Sequence, residues 1–416
     1  MTAAYCGPAA RGNELFPSPF FGRTPDVSTR QFGVLDGAFW ASEPHEALAW
    51  LREHDPVHFD EAGKVWAITR YDDVLAVSRQ PEVFRNDGGI RPDAPSFPFM
   101  INLNDPLHRK RRGLVNKGFT LRRVQEREPR IRQICIDRID RMRAREQFDF
   151  VMDLAAWLPL IVIGDMLGVE PDRYDDVLRW SDDMVKGSGT TDPQVFATSE
   201  AAFTEFLEHS YGVLNDRRQR PLEPDLFSIL AHAEIDGERL EDAEIVAESL
   251  LILIGGDETT RHVLSGGMYE LLRQPHAWKT LQESPSAIAT AVEEMLRWVT
   301  PIKNMARTVA RATEMRGKTL REGDKLVLLY PSANRDEAVF EHPQRFDIAR
   351  TPNEHLAFGF GAHYCLGASL ARLELNVFFQ EAAQHLAGLE LVSDEPPPRR
   401  HSNFISGIEH MPVRWR

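Results

Sequence analysis

Phe358-Gly-Phe-Gly-Ala-His-Tyr-Cys365-Leu-Gly367 is the stretch on which the reading of the chain turns. It sets three glycines around one cysteine, directly ahead of a helix-forming run over residues 368–386. Glycine lets the backbone approach a bulky partner with no Cβ in the way. A cysteine at the head of a helix has its thiolate stabilised by free N–H groups and by the positive end of the helix dipole. Such a sulfur suits a soft or borderline metal. An inert cysteine in a Gly-rich turn is the competing reading, since free Cys is commonly buried.

The other two cysteines, Cys6 and Cys135, are far away in sequence, and no pair has the spacing of a zinc site or a disulfide framework. A reducing compartment is expected. The 416 residues are 42 % hydrophobic, enough for a large core, and carry a net charge of −14, which argues against general nucleic-acid binding. Residues 1–30 lack an apolar core and read as neither a signal peptide nor an anchor. The apolar runs at 155–163 and 250–254 fall short of the roughly 20 residues that span a bilayer. No linker or repeat divides the chain. The expectation is a single domain over residues 1–416, soluble and cytoplasmic.

Periodicity predicts a mostly α protein with small β-sheets. A short helix over 42–54 precedes two strands, 57–59 and 65–68, joined by the hairpin signal Glu61-Ala-Gly-Lys64. A helix over 71–78 leads into a Gly-, Pro- and Asn-rich loop at 84–105, and a loop that long is usually functional. Helical pattern then dominates: 121–145, 153–167, 171–185, 194–218, 241–272 and 285–298. Strand-like segments follow near 305–308 and 325–330, and the last long helix spans 366–386.

Three further constellations carry chemistry. The long helix contains Gly255-Gly-Asp-Glu258-Thr259-Thr260 at its middle. Each interior glycine costs about 1 kcal/mol against alanine. A threonine there can bond back to a carbonyl one turn earlier. A local opening of the helix is expected, with Glu258 and Thr259 as a proton-delivery pair; an ordinary kink is the alternative. Glu294-Met-Leu-Arg297 puts acid and base on one helix face, by itself an ordinary pair. The run His-Arg-Lys-Arg-Arg at 108–112, with Lys117, Arg122 and Arg123 beyond it, is the most basic in an acidic chain.

The spacing Phe-Gly-x-Gly-x-His-x-Cys-x-Gly resembles the haem-ligand loop of the cytochrome P-450 family, the haem-thiolate monooxygenases. The kinked helix, Glu-x-x-Arg, the later segment Pro343-Gln-Arg345-Phe346 and the cysteine loop follow in the family's order. The resemblance implies the family's fold, a triangular helical prism around a buried haem b, with Cys365 as the iron ligand. It implies haem contacts from His108, Arg112, Gly256, Arg307, Phe358, His363 and Gly367, since Arg and His donors suit haem's two propionates. It places Glu258 and Thr259 where the family handles dioxygen, and joins Glu294, Arg297 and Arg345 in a structural cluster. It makes the basic run a docking face for an acidic ferredoxin, with electrons passed on from a separate ferredoxin reductase.

The segments at 86–92, 250–262, 301–304 and 355–361 further resemble the actinobacterial subgroup that oxidises the terminal methyl of the cholesterol or cholest-4-en-3-one side chain. That resemblance implies a hydrophobic substrate walled by Ile90, Phe99, Met100, Ile252, Ile302, Phe404 and Ile405. Branched fatty acids or terpenoids are the alternative substrates. A peroxide-driven peroxygenase and a non-catalytic haem sensor or carrier are the rival functions; the acid–alcohol pair argues against both.

Overall fold

A hairpin near the start of the structured chain shows how local chemistry seeds the architecture. Strands β1 (Val57–Asp60) and β2 (Val65–Ile68) pair antiparallel, with Val57 opposite Ile68. The Asp60 carboxylate closes the turn by accepting from the N–H groups of Ala62 and Gly63, at 3.0 and 2.9 Å. Lys64 takes the left-handed backbone that completes it, φ 54°. Three later strands join the pair: β3 (Phe84–Arg85), β4 (Asn304–Val309) and β5 (Lys325–Leu329), in the order β1-β2-β5-β4-β3. Only β2 and β5 run parallel, with Leu326 beside Trp66. This sheet delivers Arg307 to the candidate site.

The computed structural model describes residues 32–416 apart from 95, 189 and 191. Gly33–Arg416 form one unit. Cys6 and the N-terminal segment read above as neither leader nor anchor lie outside the described residues.

The principal helices are α1 (His45–His54), α2 (Tyr71–Ser78), α3 (Leu107–Asn116), α4 (Glu128–Arg143), α5 (Trp157–Leu167), α6 (Tyr174–Lys186), α7 (Pro193–Gln219), α8 (Asp242–Arg273), α9 (Ile288–Val299) and α10 (Ala368–His385). Several of the long ones have clear end signals. Asp192 caps α7 by accepting from the Gln194 N–H at 2.8 Å, with Pro193 in the first turn, where its missing N–H costs nothing. A reciprocal Glu241–Glu244 capping box starts α8. Gly168, at φ 76°, ends α5. The predicted helix 121–145 is split: Leu121–Gln125 stops and α4 restarts at Glu128, because Pro129 cannot extend the preceding turn. The segment Phe150–Ala155 ahead of α5 is a wider π turn.

Helix α8, 32 residues and so about 48 Å long, crosses the core. It packs against α5, α9 and α10, with Ile252, Leu253, Val263, Leu264 and Met268 all buried. Among the described residues one helical stretch is long and apolar enough to cross a membrane, Phe150–Leu167, and 78 % of it is buried inside the protein. The sequence had placed only the shorter run 155–163 there. The expected class, mostly helical with small sheets, is what the chain adopts.

Candidate active site

Cys365 sits where the loop runs into α10. Its N–H donates to the Phe358 carbonyl at 2.9 Å, which closes the loop on itself. Gly359 and Gly361 take φ of 68° and 78°. A Cβ on Gly361 would also lie 2.6 Å from the Ser78 carbonyl oxygen, so both conformation and space require glycine there. Burial pushes the Cys365 thiol pKa up, and the N–H groups of Gly367 and Ala368 with the Arg112 and Arg372 guanidiniums pull the other way. The sulfur lies beneath the protein surface, and its exposed area is the wall of a cavity of about 770 Å³. The other described cysteine, Cys135, is buried in the apolar core with its thiol held neutral.

The expected propionate donors converge on the same cavity. His108, Arg112, Arg307 and His363 all line it. His108 and His363 stack with ring centroids 3.9 Å apart. Burial and the neighbouring cations push His363 down to about 3, and burial also lowers His108. Arg112 donates to the Tyr364 carbonyl at 2.5 Å, and Arg307 to the Ala306 carbonyl at 2.7 Å. Among the described residues neither guanidinium has a carboxylate within ion-pair distance, and the buried His363 Nδ1 has no partner. Two uncompensated cations and an orphaned nitrogen beside an upturned sulfur fit a planar metal complex bearing carboxylates. Phe358 and Gly367 line the cavity as expected. Gly256 does too, but a Cβ on it would meet Ile163 at 2.8 Å, so its bareness serves the contact with α5.

Helix α8 stays helical through Gly255-Gly256, where a local opening was expected. The Thr259 hydroxyl donates to the Gly255 carbonyl at 2.8 Å, the expected back-bond. Thr259 faces the cavity. Glu258 does not: it is fully buried on the other side of the helix. Its Oε2 accepts from Arg261 at 2.5 Å and from Arg400 at 2.6 Å, and both guanidiniums also hold Asp182. The side-by-side acid–alcohol pair is thus corrected. Adjacent helix positions diverge by about 100°, so only one of the two can point at the ligand.

Every residue assigned to the substrate wall lines the cavity: Ile90, Phe99, Met100, Ile252, Ile302, Phe404 and Ile405. Ile302 and Ile405 meet in an isolated antiparallel bridge. Sequence reasoning missed Met184 on α6 and Phe196 and Phe203 on α7, which complete the wall. Phe203 contacts Phe97 with ring centroids 6.0 Å apart. Their helical spacing was visible, but not which face turned inward.

The structural cluster needs one replacement. Glu294 and Arg297 are fully buried and doubly hydrogen-bonded, both at 2.7 Å. The third charged member is Arg350, whose Nε reaches Glu294 Oε2 at 2.9 Å. Arg345 is exposed and offers only its backbone carbonyl, which accepts from Arg297 and Arg350 at 3.2 and 3.0 Å. The turn after Pro343 sends the Arg345 side chain to solvent and brings Arg350 back. The basic run is corrected as well. Arg109 is exposed, though paired with Asp105, and Lys110 pairs with Asp236. Arg111 is buried between Glu244 and Glu248 and is not a surface charge. Arg122 and Arg123 are exposed.

Comparison with known proteins agrees with this geometry. A cytochrome P450 family model matches residues 194–408. The chain is similar to the steroid C26-monooxygenase of Mycobacterium tuberculosis, 49 % identical over 392 residues that span 94 % of this chain and 97 % of the relative. The methyl-branched lipid omega-hydroxylase of Mycobacterium bovis is 37 % identical, over 94 % of this chain and 95 % of that one. A Bacillus megaterium P450 solved in complex with testosterone superposes with a TM-score of 0.84 at 31 % identity, covering 91 % of this chain and 99 % of that one. With its upturned cysteine, its unpaired cations and these relatives, the chain belongs to the cytochrome P450 family, the haem-thiolate monooxygenases.

Proposed function

We propose that the protein hydroxylates the terminal methyl group of a steroid side chain, with electrons from a separate ferredoxin and its reductase, in the cytoplasm. The observation that carries this reading is one continuous cavity with Cys365 and Thr259 at one part and apolar side chains from helices α5 to α10 and the loops between elements over the rest. The 49 % identical steroid C26-monooxygenase supports the substrate class.

A haem held by a thiolate supplies the oxidation of an unactivated C–H bond. One oxygen atom of dioxygen enters that bond and the other leaves as water. In our reading Cys365 is the ligand, and Arg112, Arg307, His108 and His363 hold the carboxylate edge of the group. Thr259 donates and accepts protons at its hydroxyl, on the cavity side of α8. Glu258 stands behind it, bonded to Arg261 and Arg400, and supports the helix from the far face. The apolar walls take up the chain: each buried CH₂ contributes about 0.8 kcal/mol, so a branched eight-carbon tail contributes several kcal/mol before ordering costs. The exposed Arg109, Arg122 and Arg123 form the face offered to an acidic ferredoxin.

The test is a binding and turnover panel of cholesterol, cholest-4-en-3-one, a methyl-branched fatty acid and a linear one, with ferredoxin, reductase and NAD(P)H, and products located by mass spectrometry. Terminal side-chain hydroxylation of the steroids is the expected result. The second reading, a branched-lipid hydroxylase, is favoured by the 37 % identical omega-hydroxylase. It wins if neither steroid shifts the Soret band while the branched acid does.

A further inference from the structure

Residues 97–102 form a wall of the cavity, yet they belong to a loop. A buried charge pair from two helices holds that loop in place. Arg111 on α3 and Glu248 on α8 are 2 % and 0 % exposed. Glu248 Oε1 accepts from the Met100 N–H at 2.7 Å and from Arg111 Nη1 at 3.5 Å. The same Nη1 donates to the Pro98 carbonyl at 3.1 Å, and Nη2 reaches Glu244. The backbone is therefore gripped on both sides of Phe99, and both Phe99 and Met100 line the cavity. Inside the loop, Asn102 sets the shape: it accepts from the Ile90 N–H at 3.0 Å and donates to the Phe97 carbonyl at 2.9 Å.

The arrangement is costly to build. Burial pushes the Glu248 carboxyl up to about 7, against the pull of Arg111, and its second oxygen has no partner. Desolvation offsets most of the Coulomb gain of a buried ion pair, so such a pair is weak as a source of stability. What it does firmly is select one arrangement of the groups it touches. Here those groups are the backbone of a ligand-facing wall, and the partners sit within helices α3 and α8. A loop gripped in this way keeps a fixed contour, and a fixed contour discriminates by shape.

We infer that Arg111 and Glu248 are positioning residues that set the shape selectivity of the cavity, by holding Phe99 and Met100 in register against a bulky ligand. The inference rests on the reading of the substrate as a bulky lipid. It predicts that loosening the grip penalises a rigid ring system far more than a slim chain, because the chain adapts to a moved wall.

The experiment compares wild type, Glu248→Leu and Glu248→Gln as holoenzymes. Soret-shift titrations use cholest-4-en-3-one, a methyl-branched fatty acid and a linear fatty acid, and hydrogen exchange is followed at the Met100 amide. Glu248→Leu should weaken the bulkiest ligand that wild type binds by about tenfold, the loss of roughly one hydrogen bond to a charged group, with the linear acid changed less than about twofold. Exchange at Met100 should speed up in parallel. Glu248→Gln keeps an acceptor for that N–H and should restore both. Equal losses for all ligands, or unchanged relative affinities with faster exchange, overturn the inference. If Glu248→Leu fails to load haem, wild type alone decides: a Met100 amide that exchanges as fast as the amides of exposed loop residues overturns the grip. Failure of the steroid reading shows separately, as a wild-type protein that binds no steroid.

Discussion

Replacing Arg350 by Met tests the most consequential correction to the sequence reading. Arg350 has its side chain 8 % exposed and donates four hydrogen bonds: to Glu294 at 2.9 Å, and to the carbonyls of Glu341, His342 and Arg345 at 2.7, 3.3 and 3.0 Å. The bond to the buried carboxylate contributes about 2 kcal/mol, and the three exposed carbonyl bonds add about 1 kcal/mol between them. Glu294 keeps Arg297, the Asp347 N–H at 2.8 Å and the Asn353 amide at 3.2 Å, so the loss stays at the low end of the roughly 3–5 kcal/mol seen when a buried pair is broken. The expected cost is about 3 kcal/mol, a thermal midpoint lowered by about 3–4 °C for a chain of this size. The matched control is Arg345→Met. That side chain is exposed and its useful atom is a carbonyl the substitution keeps, so its cost should stay within about 0.5 kcal/mol. Thermal unfolding of both holoenzymes, followed by circular dichroism and by loss of the haem absorbance, gives the answer. Equal midpoints for the two variants, or a larger loss for Arg345→Met, would refute the assignment of Arg350 to the cluster.

Further outcomes follow from the same geometry. Cys365→Ala should abolish the thiolate signature of the reduced carbon monoxide complex while Cys135→Ala leaves it intact; a normal spectrum from the first variant ends the ligand assignment. Thr259→Ala should still consume NAD(P)H but return more of it as hydrogen peroxide, and product per NAD(P)H unchanged from wild type would remove Thr259 from proton handling. Asp257, fully buried and bonded to the Ser181 hydroxyl at 2.6 Å, is pushed up to about 7 by burial and by Glu258. The fold favours its protonated form, so its stabilising contribution is complete below about pH 4 and is lost as pH rises through about 7. Asp257→Asn should therefore gain on wild type, by up to a few kcal/mol, between those limits, and a stability difference independent of pH contradicts it. Charge reversal at Arg109, Arg122 and Arg123 should slow reduction by an acidic ferredoxin and flatten its salt dependence with ligand affinity unchanged; unaltered kinetics at low salt would place docking elsewhere.

The sequence by itself determined the elements and the chemistry that depends on local backbone. Gly359 and Gly361 had to be glycine, the hairpin at 61–64 had to turn, and a cysteine at the head of α10 had to meet free N–H groups. Periodicity also placed the strong helices, since burial along a helix repeats with its pitch. Spacing along the chain stopped being informative where a side chain's direction depends on what packs against it. Glu258 and Thr259 are adjacent in sequence and diverge in space, because the Arg261–Arg400–Asp182 cluster holds Glu258 on one side of α8 while the cavity opens on the Thr259 side. Arg345 and Arg350 are both arginines of one short segment, and only the turn between them decides which one reaches Glu294. Arg111 belongs to the most basic run in the chain, yet two acids on α8, more than 130 residues later, draw it into the interior. Charge and hydrophobicity are properties of residues, whereas burial and pairing belong to the packed arrangement, and a linear pattern carries no term for contacts between distant segments.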